Sequence, residues 1–180
     1  MINALLDIFN RFADNDDRDR DNSLSVSKNE SNITEHLFQA VNQHRMAQRL
    51  TVLIQEPRLF DTAQRQSRRL ATANCTDTNW HHTYWEDRKY EISRLPQKFQ
   101  SAAENVAVVE NIRLSLLQKP KTQQEIVGEI IKRWLATTGY RANTEGDYTH
   151  SGIGVSTFIT TDSDTLVTTA SVFAVQYFAK

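Results

Sequence analysis

The segment QQEIVGEIIKRWLATTGYRANTEGDYTHSGIGV, residues 123–155, decides how the rest of this 180-residue chain is arranged. Apolar residues recur at helical spacing in its first part, which predicts a helix from about Thr122 to Thr137. The predicted buried face of this helix consists of Ile126, Ile130, Ile131 and Trp134. Gly139 is expected to end the helix, and residues 139–143 are expected to form a turn that is one wall of a cleft. The Gly-Ile-Gly-Val at 152–155 is then the start of a strand.

Outward from this segment, the sequence predicts helices before it and a β-hairpin after it. Two runs rich in β-branched and aromatic residues, 153–160 and 166–178, flank a Thr-Asp-Ser-Asp turn and are expected to pair in antiparallel fashion. A short strand is predicted at 103–109. Earlier helices are predicted at 33–48, behind an Asn32–Glu35 capping box, from Pro57 to about 75, and as one turn at 88–95. This order predicts an α+β domain with helices covering a sheet.

The composition limits the classes of function. The net charge is -1, with 21 basic and 22 acidic residues, which argues against nucleic-acid binding because phosphate contacts need a basic surplus. With one cysteine, Cys75, the chain cannot form an internal disulfide. No apolar run is long enough to cross a bilayer, and residues 1–12 lack the pattern of a signal peptide. Neither a Gly-x-Ser-x-Gly nor a cysteine motif indicates a nucleophile.

Residues 1–30 are expected to form an extension ahead of a domain that spans 31–180. Residues 2–12 have the spacing of a short amphipathic helix. An alternating set of carboxylates follows, as in the calcium loop of an EF-hand: Asp17, Asp19 and Asp21. In that loop, Asn22 replaces the glycine and Lys28 replaces the bidentate glutamate. We therefore favour a solvated charged linker over a weak calcium site.

Further landmarks follow one another in a characteristic order. They are Val41, Asn42 and Arg45, then Trp80-His81-His82-Thr83, Glu104-Asn105-Val106-Ala107, Trp134 with Gly139-Tyr140-Arg141-Ala142-Asn143, Gly152-Ile153-Gly154-Val155, and the closing strand 173–178. Taken together, their order and spacing resemble the CAP superfamily of bacterial type, also called SCP-like or pathogenesis-related-1-like domains. The resemblance covers about residues 32–178.

The resemblance implies an α-β-α sandwich with a mainly antiparallel sheet and a central cleft. It places five residues at this cleft: His82, Glu104, Asn105, Tyr140 and Arg141. In the family, two histidines and acidic residues can hold a divalent metal such as zinc. Here Tyr140 replaces the second histidine, and a phenol with a pKa near 10 is a poor zinc ligand. Only His82 and Glu104 match, with His81 or His150 as further candidates, so a zinc ion here, like calcium at Asp17, Asp19 and Asp21, is the less favoured expectation.

Three functions follow as hypotheses. The resemblance implies extracellular or cell-surface proteins, several of which bind sterols, fatty acids or other partners, so we expect a non-catalytic binding protein whose cleft takes a small apolar ligand or a peptide. The alternative is a protease-like hydrolase in which His82 and Glu104 act as acid and base on a bound water, with or without a metal. In the third, the N-terminal extension docks onto a protein partner through its apolar helix face. For Glu104 and His82, a purely structural role remains open beside the chemical one.

Overall fold

A computed structural model describes residues 22–76, 82–114 and 121–180 of the chain. The helices are α1 (Asn22–Ala47), α2 (Pro57–Thr72), α3 (Trp85–Ser93), α4 (Gln123–Ala136) and α5 (Thr138–Glu145). The strands are β1 (Ile54–Gln55), β2 (Ala102–Arg113), β3 (His150–Thr161) and β4 (Thr168–Ala179).

The four strands form one mixed sheet in the order β1-β3-β4-β2. The hairpin of β3 and β4 lies at the centre, and β2 is added antiparallel to β4. The short β1 pairs parallel to the start of β3. The predicted α+β class and the mainly antiparallel sheet are therefore confirmed. The two edge strands are β1 and β2, and the start of β2 is where the candidate site is found.

Each face of the sheet is covered by helices because successive side chains of a strand point to opposite faces. Ala107 and Val109 of β2 join the core under α1 and α4, with Trp134 at its centre. Val106 and Val108 join the second core, under α2 and α3. The result is the three-layer α-β-α arrangement that the resemblance implied.

Two glycines of β3 allow α2 to lie directly against the sheet. A Cβ atom at Gly152 would overlap the backbone of Leu59 and Phe60, and one at Gly154 would overlap that of Ala63 and Gln64. The contacting atoms belong to a helix backbone, which cannot rotate out of the way. The short distance between α2 and β3 therefore requires glycine at positions 152 and 154.

The structure corrects two predicted boundaries. The first helix begins at Asn22, eleven residues before the predicted start at Ile33, so the second half of the expected linker is helical and the Asn32–Glu35 capping box does not exist. Residues 1–21 lie outside the described part of the chain, and with them the calcium candidates Asp17, Asp19 and Asp21 and the predicted helix at 2–12.

The second correction concerns the segment after α4. Gly139 does not end that helix, and residues 139–143 are helical within α5. The break is made by Thr137, whose extended backbone (φ -91, ψ 120) separates α4 from α5. The capping box of α4 is formed by Thr122 and Glu125, which hydrogen-bond to each other's backbone N–H groups.

Candidate functional site

The site is built around Glu104, a carboxylate on the edge strand β2. Strand alternation puts its side chain on the face covered by α2 and α3, where only 1% of it is exposed. The guanidinium of Arg88 on α3 binds it in bidentate fashion, with Nη2 at 2.7 Å from Oε2 and Nε at 3.1 Å from the same oxygen, and Nη2 at 2.9 Å from Oε1. Arg88 also donates to the carbonyl of Thr83 at 2.6 Å. The buried negative charge is thus compensated within the site.

His82 lies over this ion pair and connects it to the other side of the sheet. Its Nδ1 is 2.8 Å from Oε1 of Glu104, and its Nε2 is 2.8 Å from the hydroxyl of Tyr140 on α5. An ionised carboxylate only accepts, so Nδ1 is the donor towards Glu104; in the tautomer with its only proton on Nδ1, Nε2 accepts from the phenol. The side chain of His82 is 41% exposed, so the imidazole that connects Glu104 to Tyr140 faces solvent.

A second set of hydrogen bonds fixes the start of α5 against the edge of β2. Asn143 donates to the carbonyl of Glu104 at 3.1 Å and to Oδ1 of Asn105 at 3.0 Å. Asn105, which is fully buried, donates to the carbonyl of Tyr140 and to the hydroxyl of Thr144. The position of Tyr140 is therefore fixed by the side chains of Asn105 on β2 and Asn143 on α5, which bond to backbone carbonyls of the other element.

Burial raises the pKa values of two tyrosines at the site, Tyr140 and Tyr177. The pKa of Tyr140 is raised, chiefly by burial and further by the negative charge of Glu104. The pKa of Tyr177 is raised more strongly and for the same two reasons, although Arg88 opposes the shift. Tyr177 lies opposite Glu104 on β4, stacks on Trp85, and its hydroxyl makes no hydrogen bond within the described part of the chain. Both phenols are held as neutral groups at physiological pH.

The structure brings three of the five predicted cleft residues, His82, Glu104 and Tyr140, into direct contact. Asn105 lies beneath them as a support. Arg141 is not in the network: its Nε donates to the carbonyl of Leu135 at 2.6 Å, which stabilises the end of α4. His81 and Trp80 lie outside the described residues, and His150 contacts Thr149 and the ring of Phe99 instead.

Arg88 is a site residue that its local sequence does not reveal, because residues 88–95 predict only one helical turn. A signal for it exists in the strand Ala102–Arg113, where Glu104 interrupts an otherwise mostly apolar run. A carboxylate at a buried strand position needs a cation or several donors. That requirement points to an arginine nearby in space, although it does not say which one.

The described residues do not fit a metal centre. Both ring nitrogens of His82 are already hydrogen-bonded, and both oxygens of Glu104 are bound by Arg88. Within residues 22–76, 82–114 and 121–180, no three histidine, cysteine, aspartate or glutamate side chains are grouped to bind an ion. A zinc ion would need to displace Arg88 or gain ligands from elsewhere.

Comparisons with known proteins agree with this architecture. Residues 38–178 match the cysteine-rich secretory protein (CAP) family. An extracellular protein containing an SCP domain from Bacillus anthracis str. Ames superposes with a TM-score of 0.58 at 19% identity, over 87% of this chain and 43% of that one. A cysteine-rich secretory protein from Staphylococcus aureus subsp. aureus Mu50 superposes with a TM-score of 0.50 at 16% identity, over 83% of this chain and 39% of that one. No curated protein gives a significant match.

The two solved structures show the same fold, and this chain spans less than half the length of either. Within the described residues, no helix is both long and apolar enough to cross a membrane. The family name refers to cysteines, of which this chain has one. The match over residues 38–178, the three-layer sandwich and the order of the landmarks together show that the chain belongs to the CAP family.

Proposed function

We propose that this protein is a non-catalytic binding domain that takes a small apolar ligand or a peptide at the surface formed by His82 and Tyr140, in an extracellular or cell-surface setting. One observation carries the proposal. Glu104, the group that would act as a base, is held by Arg88 through both oxygens and by His82 through one. A carboxylate bound in this way is well suited to fix the floor of a cleft and poorly suited to accept a proton from water.

The exposed part of the site offers what a binding surface needs. The ring of His82 and the partly buried ring of Tyr140 are tilted against each other, with centroids 5.7 Å apart. Their edges are polar, while their faces are apolar, which suits contact with a lipid chain or an apolar side chain. The extracellular setting is supported by the family and by the two similar structures, both described as extracellular or secretory proteins.

Binding can be tested with fluorescent probes of the two lipid classes and with peptides. The full chain would be titrated with cis-parinaric acid, dehydroergosterol and a set of leucine- and phenylalanine-rich hexapeptides, while the imidazole signals of His82 are followed by NMR. We expect one probe class to bind saturably, to shift the His82 signals, and to bind at least about tenfold more weakly to Tyr140→Ala. Tyr90→Ala is the control, because Tyr90 is an exposed tyrosine on the neighbouring helix α3. No saturable binding across the panel would refute the proposal.

The hydrolase alternative rests on a specific observation of its own. The order Glu104–His82–Tyr140 places a carboxylate on Nδ1 and a hydroxyl on Nε2 of one imidazole, as in a hydrolytic triad. The raised pKa of Tyr140 works against a phenolate nucleophile. Peptide and ester substrates would be assayed with the wild type, His82→Ala and Glu104→Gln. Turnover that both substitutions abolish would favour the hydrolase, in which His82 and Glu104 act on a bound water, and turnover that survives both would exclude it.

A further inference from the structure

A cavity lies away from His82 and Glu104, along the side of β3 that is left open beyond the two residues paired with β1. It has a volume of about 330 Å³ and is lined by residues from α1, α2 and β3: Glu30, Arg68, Ala71, Thr72, Ser156, Thr157 and Phe158. Known ligand pockets have volumes from about 300 to 1,000 Å³, so this open groove lies at the lower end of that range. It shares no residue with the site described above.

Two side chains, Gln64 and Glu30, hydrogen-bond to backbone groups of β3 along this side of the strand. Gln64 accepts a hydrogen bond from the backbone N–H of Val155 and donates to its carbonyl, through one neutral amide. Two residues further along, Oε1 of Glu30 accepts from the N–H of Thr157 at 2.7 Å. Gln64 shows that an uncharged amide is sufficient to cap this edge.

A carboxylate at the second position therefore requires another explanation. Burial raises the pKa of Glu30, and the Thr157 N–H offsets part of that shift. The hydroxyl of Thr157 also acts on this carboxylate and lowers its pKa, while no basic group forms an ion pair with it within 4.0 Å in the described part of the chain. Glu30 is thus a partly buried acid whose remaining oxygen can accept from a ligand.

Arg68 supplies the opposite charge on another wall of the same cavity. It is exposed, it lies close enough for its charge to act on Glu30, and it makes no ion pair with it. Two opposite charges that face one cavity without touching favour a ligand that carries both signs. The apolar surfaces of Ala71 and Phe158 complete the lining.

We propose that this cavity binds a small zwitterion, an amino acid whose ammonium group lies against Glu30 and whose carboxylate lies against Arg68. Recognition of both charges would exclude simple amines and simple acids of the same length. Ser156 and Thr157 also line the cavity, but the hydroxyl of Ser156 already bonds to Gln64 and Ser67 and that of Thr157 is buried, so recognition depends on the two charged groups.

The test is isothermal titration of the full chain with L-leucine and 5-aminovalerate as zwitterions, and with pentylamine and valerate as matched compounds of one charge. We expect saturable one-to-one binding of at least one zwitterion, with pentylamine and valerate at least about tenfold weaker, as loss of a charge-assisted hydrogen bond implies. Glu30→Gln and Arg68→Gln should each weaken binding by at least about tenfold. Glu110→Gln and Arg58→Gln, which alter exposed residues away from the cavity, should leave it unchanged.

Three results would overturn the proposal: no saturable binding of either zwitterion, equal binding of pentylamine and the zwitterion, or binding that survives Glu30→Gln and Arg68→Gln. If a variant folds poorly, the backbone amide signal of Thr157 in the wild type decides, because this N–H donates to Glu30 and should shift when the ligand binds. Binding at this cavity and binding at His82 are measured with different probes and variants, so either can fail without the other.

Discussion

Replacing Arg88 by methionine should destabilise the fold severely, because it leaves Glu104 as an uncompensated buried charge. The Glu104 side chain is 1% exposed and the Arg88 side chain 10% exposed, so solvent cannot replace the lost partner. Removing one member of a buried ion pair costs about 3–5 kcal/mol. His82 remains in contact with Oε1 and reduces the cost, so we expect a loss of about 3 kcal/mol in the free energy of unfolding.

The double variant Arg88→Met/Glu104→Gln separates lost charge compensation from lost packing. It removes both charges and keeps the volume, so it should recover about 2 kcal/mol or more relative to Arg88→Met alone. The free energies would be measured by urea unfolding, with equal m-values as the check on two-state behaviour. Arg94→Met is the matched control, because the guanidinium of Arg94 lies at the surface against the exposed Tyr90, and its cost should stay below about 0.5 kcal/mol.

Two results would refute this reasoning. If Arg88→Met costs less than about 1 kcal/mol, the ion pair does not hold the site together. If the double variant is as unstable as the sum of the two single variants, then Arg88 and Glu104 do not act as a pair, and their ion pair no longer supports the proposed binding role of the site.

Three further predictions concern the rest of the fold. Gly154→Ala should lower the free energy of unfolding by about 3 kcal/mol or more, because the added methyl group overlaps the α2 backbone. Gly139→Ala, whose Cβ meets nothing within 4 Å, should instead raise it by about 0.5 kcal/mol. Thermal melting of both variants measures the two effects. Arg45→Met should cost about 3 kcal/mol or more in urea unfolding, since this buried side chain donates to four backbone carbonyls that would lose their donor. Finally, burial raises the pKa of Glu30 above its ordinary value of 4.5, so the folded state binds this proton more tightly than the unfolded state, and the stability of the wild type should fall as the pH rises above 4.5. Glu30→Gln has no such proton, so its melting temperature relative to that of the wild type should increase between pH 4 and pH 7. A difference that stays constant with pH would contradict this prediction.

The sequence was sufficient for elements whose pattern is local. The helix α4 and the hairpin of β3 and β4 have regular apolar periodicity and clear turn residues, and both were predicted to within a few residues. The first turns of α1 were not predicted, because the charged residues before Asn32 resemble a linker in composition. The helix α5 was missed because Gly139 suggests a helix end, whereas the actual break at Thr137 is set by how α5 must lie on the edge of β2.

The site was predictable only in part, for a related reason. His82, Glu104 and Tyr140 could be located through family landmarks, but Arg88 belongs to no landmark and is sixteen residues from its partner. Its role depends on α3 crossing the start of β2, which no local pattern encodes. Long-range ion pairs of this kind become visible only when the packing is known.

The same geometry indicates where function should be sought within the site. The edge of β2 is closed by side chains: Asn143 binds the carbonyl of Glu104, and Arg133 binds that of Val108, which protects the strand from pairing with another chain. Glu104 and Arg88 are likewise explained by the buried ion pair that joins α3 to the sheet. None of these contacts requires the imidazole of His82 to be 41% exposed, or its second nitrogen to reach a phenol on the opposite layer. Because the fold accounts for the buried members and not for the exposed imidazole or its contact with the partly buried Tyr140, we propose this surface as the place to test for the apolar ligand or peptide.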